Sequence, residues 1–207
     1  MINFPFKDRL TGLLFMTVCI IGVIAGISPA KCSRIVHSNN ENKKAYKKEK
    51  TNSRITTIKF KGHHPTCGKF SAHIIKLGNQ IYCAGCTGLV TGAIISILGS
   101  LLYFFIGFNI GKIGIPLFWL GFIEVTCGLL QHHIIIVNSG VVHFFVNIIF
   151  VLGAFHILIG VNEIKSNFIL NLFLLALIIY WIITRMLLSQ LEHKKICATC
   201  DLKLCNG

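Results

Sequence analysis

Val141 to Val161 reads VVHFFVNIIFVLGAFHILIGV, 21 residues without an acid, a lysine or an arginine. A helix needs ~20 such residues, at ~1.5 Å each, to cross the ~30 Å hydrocarbon core of a bilayer. Working outward, Leu10 to Ile27, Leu89 to Phe108 and Phe168 to Thr184 are uncharged runs of roughly the same span. Ile115 to Val137 is equally long and holds one acid, Glu124, and reads as a fifth helix with an interior polar face. The whole chain of 207 residues is 54% hydrophobic and only 13% charged. Soluble domains carry about 25% charge, so the composition excludes an ordinary soluble enzyme. The expected fold is an all-α integral membrane protein of five transmembrane helices, a four-helix core at 87–188 plus an N-terminal helix at 1–30.

Charge sets the expected orientation. Of the 20 Lys and Arg residues, 12 fall between Lys31 and Lys76, while Lys112 and Lys165 are the basic residues of the two loops on the other side. The positive-inside rule then places the 31–86 loop in the cytoplasm of an inner membrane. Five crossings return the 189–207 tail, with Lys194, Lys195 and Lys203, to the same side. The alternative for residues 1–30 is a secretory signal, since Lys7 and Arg9 precede an apolar run and Ser28-Pro29-Ala30 follows. Cleavage there would export twelve basic residues, against the same rule. Residues 31–61 read as a basic disordered linker, and its run Lys43, Lys44, Lys47, Lys48 and Lys50 suits contact with anionic lipid headgroups or a plain solvated tether. The net charge of +13 is therefore a topology signal, and nucleic acid is not an expected partner.

The chemistry gathers in cysteines and histidines outside the runs. His63-His64-Pro65-Thr66-Cys67 precedes a segment with a Gly78-Asn79 turn that reads as a cytoplasmic β-hairpin, and this ends in the knuckle Cys83-Ala84-Gly85-Cys86. A second knuckle, Cys197-Ala198-Thr199-Cys200, lies in the tail. Two such pairs on one face supply the four thiolates of a closed tetrahedral zinc site. Cys83, Cys86, Cys197 and Cys200 form the favoured set, with Cys67 and one of His63 or His64 as the alternative partners of the first knuckle. A different chemistry also fits, because Cys86 just before a helix is the position of a reactive thiol in a membrane thiol-disulfide oxidoreductase.

The elements from His63 to Gly92 resemble the signature of an uncharacterised prokaryotic membrane-protein family, domain of unknown function 2085. The likeness is carried by His63, Pro65, Cys83, Cys86, Thr87, Gly88 and Gly92. Gly62 and Gly85 depart from it, standing where the family has a cysteine and an arginine. The resemblance implies several membrane helices after the motif and implies no activity.

Within the runs, Glu124, Gln131 and Asn138 are seven apart and form one stripe on the third helix. His143 and Asn147 share a face of the fourth helix, whereas His156 lies about 220° around from His143. Glu124, Gln131 and His143 are thus the expected members of a proton or metal path between adjacent helices. Small residues at Gly22 and Gly26, at Gly88, Gly92, Ser96 and Gly99, and at Gly153 and Gly160 are expected at helix contacts. Phosphate loops, dinucleotide turns, HExxH helices and nucleophile elbows are missing. Asp8 and Asp201 are the only aspartates, which also leaves paired-carboxylate chemistry without parts. The sequence therefore favours a membrane protein with a structural zinc site, against a metal-ion or proton-coupled transporter or sensor.

Overall fold

The computed structural model describes residues 6–27, 59–61, 73–77, 80–108, 113–131, 139–165 and 167–198. Five helices follow one another up and down: α1 (Lys7–Ile27), α2 (Ala84–Ser100), α3 (Gly114–Leu129), α4 (Gly140–Ile164) and α5 (Phe168–Ala198). α2 continues through a wider π-helical stretch, Leu101–Ile106. Gly107 closes it at φ 78°, a left-handed conformation that glycine adopts without penalty, so that the Phe108 N–H reaches the Leu102 carbonyl. α1, α2 with its extension, α4 and α5 are long and apolar enough to cross a membrane. α3, with 16 residues, is shorter. The sequence extends this element to Val137, but residues 132–138 lie outside those described.

α4 is the axis of the bundle. Of its apolar span 56% is buried, against 28% or less for each of the other three long helices. Leu158, Ile157, Phe150 and Ile159 are almost wholly enclosed, and Phe15 of α1 and Ile178 of α5 complete the core. The outward faces are apolar as well, as Ile21, Ile24, Leu98, Trp119, Ile169 and Phe173 illustrate. An outside as greasy as the inside is the pattern expected of helices solvated by lipid.

Glycine sets the spacing between helices. α2 runs parallel to α4, with Gly88 against Phe144, Gly92 against Ile148 and Gly99 against the Phe155 ring. α3 runs antiparallel to α4 and packs against it most closely. A β-carbon on Gly121 would stand 2.6 Å from the Gly153 carbonyl oxygen, and one on Gly160 would stand 2.8 Å from that of Gly114. Both pairs are seven residues apart on each helix, the repeat that holds one seam between two slightly supercoiled helices. Gly88, Gly92, Gly99, Gly153, Gly160 and Gly26 make the expected contacts, whereas Gly22 meets nothing within 4 Å. The glycines of α3 are a seam the sequence reading did not pick out.

A small sheet caps the bundle where α2 and α4 begin. It has three strands in the order β1 (Lys59–Lys61), β3 (Gln80–Cys83), β2 (Ile74–Leu77). β2 and β3 form the expected antiparallel hairpin, with Ile74 opposite Cys83 and Leu77 opposite Gln80. β1 adds a parallel strand, with Lys61 opposite Tyr82, so the stretch assigned to the linker ends in regular structure. At the other end of the chain α5 stays helical through Ala198, ten residues into the stretch read as a tail.

Candidate functional site

Polar side chains occur at three levels of α4. The first lies at the sheet end. Arg185 of α5 donates to Gln131 Oε1 at 2.6 Å and to Asn147 Oδ1 at 3.3 Å, and all three residues are buried. A guanidinium has donors only, so it forces both amides to present oxygen and to turn their nitrogens away. Asn147 Nδ2 then donates to the His143 carbonyl at 2.6 Å, and Gln131 Nε2 to His143 Nδ1. His143 Nδ1 is therefore the acceptor, which puts the ring proton on Nε2. The ring of His73, the residue just before β2, stacks on that of His143 with centroids 4.7 Å apart. Gly85 lies against Asn147, so the knuckle Cys83–Cys86 sits directly over this cluster.

The second level is the α3–α4 seam. Glu124 Oε2 lies 2.6 Å from His156 Nδ1, with side chains 17% and 23% exposed. Gly121 and Gly153, each three residues before a member of the pair, remove the side chains that would hold the backbones apart. His156 is 13 residues from His143 and 7 from Glu163, about 20 Å and 10 Å along the helix, so the pair is interior to the span. The third level, at the end opposite the sheet, joins Tyr103, Asn162, Glu163 and Asn171.

The side chains expected to converge do so in part. Gln131 and His143 do meet, and Asn147 joins them. Glu124 turns to His156 instead, because the seven-residue stripe of α3 meets two different positions along α4. Asn138 lies outside the described residues. Arg185 was missed because the last apolar run ends at Thr184. Its signal was available as the spacing Asn171, Ile178, Arg185, seven apart on one face, and all three are buried.

Cys83 and Cys86 flank the start of α2. Cys83 is buried at the helix N-cap with its carbonyl accepting from Thr87 Oγ1, and Cys86 is half-buried in the first turn. His63, His64, Cys67 and Cys200 lie outside the described residues, as does the side chain of Cys197. Among the described residues no three His, Cys, Asp or Glu side chains converge on one point. The register does show where the intervening loop is anchored. Its first strand leaves at Lys61 opposite Tyr82, and its last returns at Ile74 opposite Cys83. Both anchors of the segment carrying His63, His64 and Cys67 are thus at the knuckle.

Comparison of the chain with protein-family models, with curated proteins and with solved structures finds no match in any of the three.

Proposed function

We propose that this chain is a five-crossing inner-membrane protein that moves a proton-linked cation along the α3–α4 seam, with Glu124 and His156 as the exchanging pair. The observation that carries the reading is their 2.6 Å contact inside a bundle whose outer surface is apolar. Ionisable groups at such depth cost several kcal/mol unless paired, and pairs of this kind mark proton and ion pathways. The carboxylate accepts from Nδ1–H, which leaves His156 Nε2 as the ring nitrogen with a lone pair for an incoming proton. The sheet end, with its basic residues, faces the cytoplasm. Lipid is the surrounding partner, and anionic headgroups fit the 43–50 basic run.

The test is proton flux into vesicles that hold the purified protein and a trapped pH dye, driven by a potassium diffusion potential. Wild type should acidify the lumen, and Glu124→Gln and His156→Gln should each lower the rate at least tenfold. Equal rates in all three would overturn the reading.

A second reading, a zinc site at the knuckle, is favoured by the strand register. Cys83 and Cys86 form a C-x-x-C turn, and the segment bearing His63, His64 and Cys67 starts and ends beside them. Thiolates and imidazoles are the ligands that hold zinc in closed structural sites. About one zinc per purified chain, released only by strong chelation, is the expected result.

A further inference from the structure

At the end opposite the sheet, three side-chain hydrogen bonds join α5, α4 and the π-helical stretch of α2 in one line. Asn171 Nδ2 donates to Asn162 Oδ1 at 2.9 Å, Asn162 Nδ2 donates to the Tyr103 hydroxyl at 3.2 Å, and that hydroxyl donates to Glu163 Oε1 at 2.7 Å. The two ends of the line differ. Glu163 is exposed, whereas Asn171 is 1% exposed. A carboxylate can only accept, so the exposed end fixes the sense of every bond behind it. The excess acceptor is left at the buried end as Asn171 Oδ1, which has no partner among the described residues.

Each inner member of this line can be reversed where it stands. A hydroxyl turns from donor to acceptor by rotating its proton, and a carboxamide exchanges oxygen for nitrogen by a half-turn of its plane, with almost no change of shape. Protonation makes Glu163 a donor. Its O–H then gives to the Tyr103 oxygen, the hydroxyl gives to Asn162 Oδ1, and Asn162 Nδ2 gives to Asn171 Oδ1. The unmatched atom at the buried end is now Asn171 Nδ2. Both senses keep the same three contacts and leave one amide atom over, so charge at Glu163 decides between them and packing does not. Mixed senses would set two donors or two acceptors face to face, and aligned bonds polarise one another, so the line reverses as a unit.

The other charges at this end are few among the described residues. Lys7 and Asp8 open α1, and the Asp8 charge reaches the Tyr103 hydroxyl. Lys165 caps α4, two residues beyond Glu163. α3 presents only Gly114 to the Glu163 β-carbon, and α5 reaches the line through the uncharged Asn171. We infer that the line from Glu163 through Tyr103 and Asn162 to Asn171 is a two-state hydrogen-bond switch, which carries the protonation state of an exposed carboxylate to the buried face of α5. Asn171 shares that face with the core residues Leu174, Leu175 and Ile178, so the switch ends where α5 is held in the bundle. It shares no residue with the Glu124–His156 pair, and either can fail without the other.

The probe is the proton. The full chain, isotopically labelled at asparagine and purified in detergent, is taken from neutral to mildly acid solution while the Asn171 side-chain amide is followed by NMR. Its signals are assigned through Leu170-Asn171, the only Leu-Asn step in the sequence. In wild type the Asn171 amide should shift along a single one-proton curve. Glu163→Gln removes the ionisation, and Tyr103→Phe keeps the ring but cuts the line, so both should abolish the shift, whereas Asp8→Asn should retain it. Glu163 is exposed, and its variant decides alone if Tyr103→Phe does not fold. An Asn171 signal that stays fixed in wild type while the Glu163 carboxyl titrates would overturn the switch. So would a shift that survives in Tyr103→Phe or in Glu163→Gln, because the charge would then reach Asn171 without the bonds or come from another group.

Discussion

Glu124 and His156 face each other across the α3–α4 seam because each follows a glycine by three residues, and the two glycines lie against one another. A β-carbon on Gly153 would stand 2.7 Å from Glu124 Cβ, and one on Gly121 would stand 2.9 Å from His156 Cβ. Close backbone approach and the short carboxylate–imidazole contact are therefore one structural feature.

Gly153→Ala should accordingly do two things. The added methyl meets the Gly121 carbonyl oxygen at 2.9 Å, a backbone atom that cannot step aside, and overpacking of this kind costs about 1–3 kcal/mol. The separation it forces should also lower proton flux, although no ionisable group is changed. Gly22→Ala, with nothing within 4 Å, is the control and should leave unfolding in detergent almost unmoved. Equal unfolding midpoints for the two variants would count against a seam set by glycine.

Arg185→Met tests the cluster at the sheet end. It removes the donor to Gln131 Oε1 and Asn147 Oδ1 and leaves both oxygens buried, at about 1–3 kcal/mol for each such group. Arg185→Lys should recover part of the loss, since an ammonium reaches one oxygen more readily than two. A double variant with Gln131→Leu should cost less than the two single losses added together, because the variants share one contact. Strict additivity would show that the bonds contribute little.

The helical plan was legible in the sequence because a lipid-facing helix must be apolar along its whole length, as Val141 to Val161 shows without reference to any neighbour. Pairings between helices were less so. The stripe of Glu124 and Gln131 gave the face of α3 that meets α4, but periodicity on one helix cannot say which turn of the next lies opposite. Glu124 was therefore joined to His143, when the antiparallel seam brings it to His156. Arg185 was lost to a rule that ends a span at the first charge, which fails when amides from two other helices enclose the guanidinium. β1 carried no signal, since Lys59-Phe60-Lys61 is three residues long and its partner strand is distant in sequence.

The chain of bonds from Arg185 through Gln131 fixes the tautomer of His143. Imidazole nitrogen NMR on labelled protein should show Nδ1 without its proton and Nε2 with it. Gln131→Leu should bring back a mixture, and Gln131→Glu should reverse the preference, because a carboxylate must accept from Nδ1–H. An Nδ1–H signal in wild type would break the chain at Gln131.

The two zinc ligand sets named from the sequence make different predictions. Arg185 meets Asn147, which lies beside Gly85 inside the knuckle, so α5 passes the cluster that the knuckle covers. From there α5 stays helical through Ala198, which carries Cys197 about 18 Å further along its axis, at ~1.5 Å for each of twelve residues. The segment with His63, His64 and Cys67 is anchored at the knuckle at both ends instead. Zn–S bonds of ~2.3 Å require the ligands to converge, so the segment anchored at the knuckle should supply the remaining ones. Cys83→Ser, Cys86→Ser and Cys67→Ser should each reduce bound zinc severalfold in metal analysis of the purified protein. Cys197→Ser and Cys200→Ser should retain it. The reverse pattern would require α5 to unwind before Cys197 and would restore the set of two knuckles.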